Sequence, residues 1–338
     1  MIRLLIDTDA GVDDSLAIMY AASCPEASIE MISTVSGNVH VDDVTQNVLL
    51  LRELLHADFP VYMGAPSPRS RELLTAPEVH GGDGVGNYRK SNGRERSWCD
   101  PGNAADMIVE SARKHGRKLT IVSIGPMTNI ADAVSLDADS IRNVGRIIQM
   151  GGVTFGYGNT TTFTEFNIAV DPEAAAFVLE QGIFVRFVSL DLTELLFLKR
   201  RFFNQVLRRS TKLEGELKNL ISQAVEFYMQ YHKTKERLDG CFLHDPIAIA
   251  AALNGNWFRF IKSRIAIETK GVYTSGMTIA DLRGNPRDFN SEIAVAFDAA
   301  GFMRDFILKV FGVSISRKSV RENCLSERFV SGFSNMID

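Results

Sequence analysis

Short apolar runs alternate with longer amphipathic runs along most of the chain. Ile2–Ile6 predicts a buried strand, Ser15–Ala22 a helix and Ile29–Val35 the next strand. Apolar residues spaced by four, three and four positions then predict a helix across residues 44–55. Further strands are predicted at Leu119–Ile124, Arg146–Met150, Val185–Leu190, Ser263–Ile267 and Ile293–Phe297. This alternation predicts an α/β fold, a single large domain with a mainly parallel central sheet flanked by helices.

Several segments interrupt or end this rhythm. Residues 64–103 are rich in Gly, Pro and charge and predict a long loop, and the Gly- and Thr-rich residues 151–167 predict an excursion or a hairpin. Long irregular segments in compact domains are more often functional than decorative. Residues 199–233 predict helical structure. Residues 315–338 predict a polar, loosely held C-terminal tail of the same domain, whose body comprises residues 1–314.

Composition and charge narrow the class of protein. The chain of 338 residues is 45% hydrophobic and 23% charged, as in ordinary globular proteins, with a net charge of −4. No stretch collects Lys and Arg densely enough to bind a phosphate backbone, so we expect no nucleic-acid partner. Four cysteines without a CxxC pair favour neither a disulfide framework nor a zinc site. The acidic N-terminal segment and the lack of an apolar run of about 18 residues predict neither a signal peptide nor a membrane span, and hence a cytoplasmic protein.

The strongest local signal is a cluster of aspartates directly after the first predicted strand. Asp7, Asp9, Asp13 and Asp14 follow one another closely, and such carboxylates repel one another unless a cation lies among them. In a parallel sheet, ligands bind beyond the carboxyl ends of the strands, so we expect the active site there. Oxygen ligands at this density suit Ca²⁺ or Mg²⁺ rather than zinc. The alternative, capping of a helix N-terminus, explains one or two of these aspartates but not four.

Motifs that follow one another along nearly the whole chain carry a family resemblance. The stretch DTDAGVDDSLAI, at residues 7–18, resembles the DTDPGxDDAxAI signature of the inosine–uridine-preferring nucleoside hydrolases. Further segments resemble elements of that family in the same order: Ser36–Asn38, His80–Gly81, Ser123–Ala131, Met150–Gly152, Glu165–Asn167, Asp171–Ala174, Phe242–Pro246, Tyr273–Thr278 and Val295–Asp298. The resemblance implies a Rossmann-like sheet and hydrolysis of the N-glycosidic bond of ribonucleosides to ribose and free base. It also implies a role in nucleoside catabolism or salvage and a homo-oligomer, either a dimer or a tetramer.

The same resemblance implies roles for individual residues. A Ca²⁺ ion would be held by Asp9, Asp14, the main-chain carbonyl of Ile124 and Asp245. Ribose hydroxyls would bind Asp13, Asn38, Glu165 and Asn167, and the nucleobase would face His80 and His244. Asp7 would support the metal ligands from behind. Ala10 stands where the family has Pro, and we expect this change to loosen the turn slightly.

These residue types allow a specific reaction. Glycosidic cleavage passes through a ribosyl cation, and a metal ion can activate the attacking water. We expect Asp9 to act as general base, with Asp13 as the alternative. His244 would protonate the departing base or donate a hydrogen bond to it, although a structural role at a helix start stays open.

Two further positions would complete the substrate site. Tyr231, with Tyr228 and His232 on the same predicted helix, would close over the base, although packing explains these three residues equally well. Asn159 would contact the 5′ side of the sugar, unless it is only a turn residue.

Two other functions remain open to this sequence. A phosphatase of the haloacid-dehalogenase kind would use Asp7 as nucleophile and Asp9 as acid and base, but it does not predict the later EFN and HDP motifs. A non-catalytic ribose- or nucleoside-binding protein would explain the polar residues but not the metal cluster. Within the hydrolase hypothesis, His244 favours a pyrimidine-preferring or broad-specificity enzyme.

Overall fold

The chain folds into a nine-stranded sheet, a two-stranded ribbon and surrounding helices. The computed structural model describes residues 1–93, 97–283 and 289–326. The strands are β1 (Ile2–Thr8), β2 (Ala27–Thr34), β3 (Val61–Met63), β4 (Leu119–Ser123), β5 (Arg146–Met150), β6 (Val185–Val188), β7 (Phe197–Lys199), β8 (Gly240–Phe242), β9 (Phe258–Ile267), β10 (Thr278–Asp281) and β11 (Ser291–Phe297).

Helices connect most of these strands. They are α1 (Val12–Ser23), α2 (Val41–Leu54), α3 (Pro77–His80), α4 (Tyr88–Asn92), α5 (Ala104–His115), α6 (Thr128–Arg142), α7 (Phe166–Val170), α8 (Pro172–Glu180), α9 (Leu190–Thr193), α10 (Arg200–Arg209), α11 (Gly215–Tyr231), α12 (His244–Leu253), α13 (Ala299–Phe306) and α14 (Arg317–Asn323). Short 3-10 turns occur at Gly116–Lys118 and Gly255–Trp257, and π-helical turns at His232–Glu236 and Ile307–Phe311. Within the described ranges, no helix is long and apolar enough to cross a membrane.

The position of β1 in the sheet determines where ligands can bind. β1 pairs in parallel with β2 on one side and β4 on the other, and the sheet order is β10-β9-β11-β6-β5-β4-β1-β2-β3. β9 runs antiparallel to both β10 and β11, and β7 and β8 form the separate antiparallel ribbon. The strand order reverses between β1 and β4. Such a switch point opens a crevice at the carboxyl ends of the two strands, which is where parallel sheets bind ligands.

The core has two apolar layers, one on each face of the sheet. Successive strand residues point to opposite faces, and Leu4 and Ile6 accordingly belong to one buried cluster while Leu5 belongs to the other. The first cluster includes residues of α1, α2, α11, α12 and α13, and the second includes residues of α5, α6 and α8. The predicted α/β fold, with a mainly parallel sheet covered by helices, is therefore confirmed.

The structure refines three predicted segments. The long loop at residues 64–103 contains the short helices α3 and α4. The predicted excursion at 151–167 pairs only through an isolated bridge between Thr161 and Thr164, so it is a loop rather than a hairpin. The helical stretch 199–233 is broken after α10, because the Ser210 hydroxyl accepts the N–H of Leu213 and Thr211 donates its N–H to the Phe311 carbonyl.

The described part of the C-terminal tail packs against the body. Val320 and Cys324, within and just after α14, are fully buried. The N–H of Phe197 donates to the carbonyl of Cys324 at 2.9 Å, and the N–H of Ser326 donates to the carbonyl of Leu195 at 3.0 Å. Residues up to Ser326 are thus held by the first strand of the ribbon and the turn before it, whereas residues 327–338 lie outside the described ranges.

This packing predicts a stability cost for a change in α14. Val320→Ala should lower the free energy of unfolding by about 1–3 kcal/mol, because it removes two buried methyl groups. The matched change Lys318→Ala, at an exposed position of the same helix, should alter the same quantity by less than about 0.5 kcal/mol. Urea unfolding followed by circular dichroism measures both. Equal, small effects would mean that α14 does not contribute to the folded core.

Candidate active site

Four aspartates meet at the carboxyl end of β1. Asp9 lies in the turn between β1 and α1, Asp13 and Asp14 belong to the first turn of α1, and Asp245 belongs to the first turn of α12. Carboxylate oxygens of Asp13, Asp14 and Asp245 lie within 4.8 Å of one another, and all four side chains are buried. The structure therefore brings together the predicted metal ligands Asp14 and Asp245, with Asp13 as the third member and Asp9 beside them.

Hydrogen bonds orient these carboxylates and leave one oxygen without a partner. Asp14 accepts from the Thr8 hydroxyl at 2.5 Å and from the N–H of Gly11 at 2.8 Å. Oδ2 of Asp9 accepts the N–H of Asn38 at 2.8 Å, whereas Oδ1 of Asp9 is buried and has no hydrogen-bond partner among the described residues. A Cβ at Gly37 would lie 2.2 Å from Oδ2 of Asp9, so the close approach at this carboxylate requires glycine.

The carboxylate cluster has the properties of a cation site. Burial, with the charge of Asp14 adding to it, raises the pKa of Asp13 to about 7. Burial and neighbouring carboxylates likewise hold the pKa of Asp9 and of Asp245 well above the ordinary value. Several buried carboxylates at this spacing, together with the unpartnered oxygen of Asp9, provide the kind of oxygen ligands that a hard divalent cation binds. The residues present therefore fit such an ion.

The main-chain carbonyl of Ile124 also faces this region. It accepts a hydrogen bond from Nδ2 of Asn167 at 3.1 Å, and Ile124 lines the same cavity as Asp13 and Asp245. A carbonyl oxygen has two lone pairs, so this bond leaves one available for a further ligand.

Asp7 lies beneath the cluster rather than in the cavity. Its Oδ1 accepts from the Ser33 hydroxyl at 2.6 Å and from Nδ2 of Asn129 at 2.7 Å. Asp7 is completely buried and is not among the cavity-lining residues. Burial raises its pKa to about 7. This position suits a residue that supports the ends of β1 and β2, and it gives no support to Asp7 as a phosphatase nucleophile.

We expected that Ala10, in place of the family's Pro, would only loosen the turn that carries Asp9. The structure shows a different turn. Ala10 has a φ of +37°, and its N–H donates to Oγ1 of Thr8 at 3.0 Å. Proline is restricted to a φ near −65° and has no N–H, so it can satisfy neither requirement. Ala10 therefore belongs to a turn that proline cannot form.

Polar side chains that follow the ends of β2 and β5 line a cavity at this edge of the sheet. Glu165 caps the start of α7, because its carboxylate accepts the N–H groups of Gly152 and Asn167, both at 2.9 Å, and of Ile168 at 3.2 Å. Burial raises the pKa of Glu165 to about 7. Asn38 follows β2 and donates from Nδ2 to Asp14 at 3.2 Å. These contacts orient the side chains that were predicted to bind ribose.

Two buried histidines also line the cavity. Nδ1 of His80 accepts the N–H of Val12 at 3.1 Å, so in the neutral ring Nε2 carries the hydrogen. Nδ1 of His244 is 2.7 Å from the Thr193 hydroxyl. Burial is the main cause that lowers the pKa of both imidazoles to about 3. Both rings are therefore neutral at neutral pH.

Aromatic side chains surround these histidines. His80 packs face to face with Tyr228 at a centroid distance of 5.4 Å, and His244 packs on Phe242 at 5.6 Å. His232 donates from Nδ1 to the Tyr228 carbonyl at 3.0 Å. The predicted helical group of Tyr228, Tyr231 and His232 thus lies along the cavity and also contributes to packing.

These polar and aromatic side chains line one cavity of about 340 Å³. All the side chains predicted to bind substrate line it: Asp13, Asn38, His80, Asn159, Glu165, Asn167 and Tyr231. Ile124, His244 and Asp245 line it as well, whereas Asp9 and Asp14 lie behind its wall. Asn159 is held in the wall because its Oδ1 accepts the N–H of Phe166 at 3.0 Å.

The cavity also contains residues to which the sequence analysis assigned no role. Glu78, Glu194 and Glu236 line it, together with Met150 and Phe242. Glu194 comes shortly after β6, just as Asp9 comes after β1, so a search for polar residues beyond the end of each predicted strand could have identified Glu194. Glu78 and Glu236 follow no sheet strand in this way, because the short helix α3 and a π-helical turn bring them to the cavity.

Comparison with known proteins agrees with this geometry. The sequence profile described as inosine-uridine preferring nucleoside hydrolase matches residues 4–304. The chain belongs to this nucleoside hydrolase family. It is therefore an N-glycosidase that hydrolyses ribonucleosides, and the assignment as an enzyme excludes the non-catalytic binding protein.

Individual relatives cover nearly the whole chain. The non-specific ribonucleoside hydrolase RihC of Salmonella paratyphi B is 34% identical over 315 residues, 92% of this chain and 97% of that protein. A purine-preferring ribonucleoside hydrolase from Gardnerella vaginalis has a similar structure, with a TM-score of 0.83, 30% identity, and coverage of 92% of this chain and 98% of that one. The plant nucleoside hydrolase PpNRh1 also gives a TM-score of 0.83, at 27% identity, covering 92% and 99% of the two chains.

The conformation of Ala10 makes one prediction about stability. Ala10→Pro should lower the free energy of unfolding by about 3 kcal/mol or more, because the ring cannot reach a positive φ and the bond to Thr8 is lost. Ala10→Gly should change it by less than about 1 kcal/mol, because glycine adopts this φ freely. Urea unfolding of both variants measures the difference. A stable Ala10→Pro protein would show that the turn takes another conformation.

The raised carboxylate pKa values make a second prediction, about metal and pH. In the folded, metal-free protein, Asp13 and Glu165 stay protonated up to a pH of about 7. In the unfolded chain the same groups lose their protons near their lower, unperturbed pKa values. The protonated carboxyls therefore stabilise the folded state fully below the unfolded pKa, and this contribution is lost as the pH rises through about 7. A divalent cation at the cluster must displace the proton of Asp13, so the rise in Tm on adding the cation should be larger at about pH 8 than at about pH 5.

Two variants separate this effect from general destabilisation. Asp245→Asn should abolish the rise in Tm on adding the cation. Asp171→Asn removes a buried aspartate that caps α8 outside the cavity, so it should lower Tm but keep the rise. Scanning calorimetry measures both. A rise that is independent of pH, or that Asp245→Asn retains, would argue against a carboxylate cation site.

Proposed function

We propose that this nucleoside hydrolase has broad specificity for pyrimidine and purine ribonucleosides and depends on Ca²⁺ bound at the carboxylate cluster. The observation that carries the proposal is one cavity whose wall combines two kinds of side chain. Buried carboxylates and amides are suited to hold a sugar, and neutral histidines packed on aromatic rings are suited to face a base. The Salmonella relative is described as non-specific and the Gardnerella enzyme as purine-preferring, which supports a base site that is not restricted to pyrimidines.

At the sugar end we assign the Ca²⁺ ligands to Asp9, Asp14, Asp245 and the carbonyl of Ile124, with Asp13 close enough to share the site. A bound Ca²⁺ supplies a Lewis acid at the position of the sugar. The side chains of Asp13, Asn38, Glu165 and Asn167 hold the ribose hydroxyls. A deoxyribose would leave some of these buried groups unpaired, and such a loss is costly.

Proton transfer from the attacking water is assigned to Asp9. Its buried Oδ1 lacks a hydrogen-bond partner among the described residues, so it is available to accept the proton. Asp13 is the alternative, since it lines the cavity whereas Asp9 lies behind the wall. The negative charge of the cluster and of Glu165 also stabilises the ribosyl cation as it develops.

The departing base lies between His80 and His244. With Nδ1 of His80 occupied by Val12, its Nε2–H can donate a hydrogen bond to the base. The Thr193 hydroxyl orients His244 through Nδ1, which leaves Nε2 to donate to the same leaving group. Tyr231 covers this end of the cavity, and Asn159 lines the wall where the 5′ side of the ribose is expected.

Two coarser features complete the proposal. The four cysteines are unpaired thiols, which is typical of a reducing compartment and supports a cytoplasmic role in nucleoside catabolism or salvage. By resemblance to the family we also propose a homo-oligomer, either a dimer or a tetramer, which analytical ultracentrifugation would test.

Ribose release from a substrate panel tests the proposed reaction. With Ca²⁺ present, the enzyme should liberate ribose from uridine, cytidine, inosine and adenosine, and it should lose this activity on EDTA treatment and regain it when Ca²⁺ is restored. Asp9→Asn should lower kcat for uridine by about 10²–10⁴-fold because the general base is removed. Cleavage of 2′-deoxyuridine should be slower than that of uridine by about 10³-fold or more.

The buried-aspartate variant Asp171→Asn serves as the matched control and should keep most of the activity. Cleavage of only one base class would contradict broad specificity while leaving the hydrolase chemistry intact. Recovery with Mg²⁺ but not with Ca²⁺ would overturn the choice of metal. Full activity of Asp9→Asn would transfer the role of general base to Asp13.

A further inference from the structure

The loop between β5 and α7, residues 151–165, forms part of the cavity wall without regular structure of its own. Among the described residues, its only strand-type pairing is the bridge between Thr161 and Thr164. Asn159 and Thr160 nevertheless line the cavity. Segments without regular structure are more mobile than the elements that they connect. The groups that fix this β5–α7 loop therefore decide where Asn159 lies.

One carboxylate outside the cavity wall holds the first half of the β5–α7 loop. Asp191, in α9, accepts the N–H groups of three consecutive loop residues: Thr154 at 2.8 Å, Phe155 at 2.9 Å and Gly156 at 2.8 Å. It also accepts the hydroxyl of Thr154 and that of Ser189, both at 2.9 Å. Hydrogen bonds to a carboxylate are shorter and stronger than bonds between neutral groups. Four such bonds to a single side chain therefore fix this half of the loop.

Local contacts fix the second half of the loop. The N–H of Gly158 donates to the Thr162 carbonyl at 3.0 Å, and a Cβ at Gly158 would overlap the carbonyl oxygen of Thr164. Oδ1 of Asn159 accepts the N–H of Phe166 at 3.0 Å. A backbone N–H can only donate, so this bond makes Oδ1 the acceptor and leaves Nδ2 as a donor. Nδ2 of Asn159 has no hydrogen-bond partner within the described ranges and is available to a substrate hydroxyl.

The helix that carries Asp191 also contacts a histidine of the cavity. Thr193 of α9 bonds to Nδ1 of His244 at 2.7 Å, and the N–H of Leu190 donates to the carbonyl of Gly152 at 2.9 Å. The single turn α9 thus contacts the β5–α7 loop at two points and the candidate proton donor at a third. Loss of the Asp191 carboxylate would free the loop, while Thr193 would still orient His244.

We propose that Asp191 is a positioning residue that holds the β5–α7 loop and thereby places Asn159 against the 5′-hydroxyl of the ribose. This inference rests on the proposed hydrolase function and deepens it, because it assigns recognition of the 5′-hydroxyl to two residues that act in series. Asp191 itself lies outside the cavity wall and outside the carboxylate cluster. Selectivity for the 5′-hydroxyl therefore depends on a carboxylate that does not touch the substrate.

Kinetics with uridine and 5′-deoxyuridine test the proposal, because these substrates differ only in the hydroxyl that Asn159 contacts. For wild type with Ca²⁺, kcat/KM should be higher for uridine by about tenfold or more. Asp191→Ala should lower kcat/KM for uridine by about tenfold, but that for 5′-deoxyuridine by less than about threefold. Asp191→Asn should lie between wild type and Asp191→Ala, because its amide oxygen replaces one of the two acceptor oxygens. The released reducing sugar is measured for both substrates.

A double-variant cycle tests whether Asp191 acts through Asn159. Asn159→Ala alone should bring the kcat/KM values for uridine and 5′-deoxyuridine to within about threefold of each other. Adding Asp191→Ala to this variant should lower kcat/KM for uridine by no more than about twofold further, because the contact that Asp191 positions is already absent. Additive losses would show that Asp191 acts by another route and would overturn the inference.

Asp298→Ala is the matched control for general destabilisation. Asp298 is also a half-buried aspartate that accepts a backbone N–H, that of Gly301 at 2.8 Å, and it caps α13 outside the cavity. This variant should lower Tm in scanning calorimetry but leave the preference for uridine over 5′-deoxyuridine unchanged. An equal loss for both substrates in Asp191→Ala would match a structural role, or a disturbance of His244 through α9, and would overturn the inference.

The outcomes separate this inference from the proposed function. A preference for uridine that falls in Asp191→Ala but not in Asp298→Ala would support the inference. Cleavage of uridine with an unchanged preference in Asp191→Ala would overturn it and leave the hydrolase function standing. Failure of wild type to cleave any nucleoside would overturn both.

Discussion

Carboxylates of like charge repel one another strongly when they are buried, because a protein interior screens their field poorly. Asp9, Asp13, Asp14 and Asp245 are all buried at the carboxyl end of β1. Backbone N–H groups, such as that of Gly11 to Asp14, offset part of this repulsion, and the positive end of the α1 dipole contributes in the same direction. The remaining repulsion favours binding of a cation, so in the proposed function folding, metal affinity and catalysis all involve these four side chains.

The sheet order explains why this cluster forms where it does. β1 lies between β2 and β4, so the loops after these strands leave the same edge of the sheet in opposite directions. The turn at Ala10 and the glycine at position 37 let the chain approach Asp9 closely. The remaining carboxylate of the cluster, Asp245, comes from a distant part of the sequence on α12. Rigid helices and strands, rather than mobile loops, therefore hold most of the carboxylate geometry.

The cavity wall combines fixed polar groups with flat rings. Glu165 and Asn167 are constrained by hydrogen bonds to the backbone, which in the proposed function makes them selective for hydroxyl positions. His80 and His244 are neutral rings packed on Tyr228 and Phe242, a surface that under the same proposal accepts flat bases of different shape. The negative charge along the wall also disfavours substrates that carry a phosphate group.

Much of this structure follows from the sequence alone, because strand and helix periodicity and the dense aspartates are local features. The alternation of elements predicted the parallel sheet, and the ordered motifs predicted the family. Only the tertiary structure decided that Asp13 joins Asp14 and Asp245, that Ala10 takes a positive φ, and that three glutamates line the cavity. These outcomes depend on how helices distant in the chain pack and on which rotamer each side chain adopts, and neither is encoded in the spacing of residues along one segment.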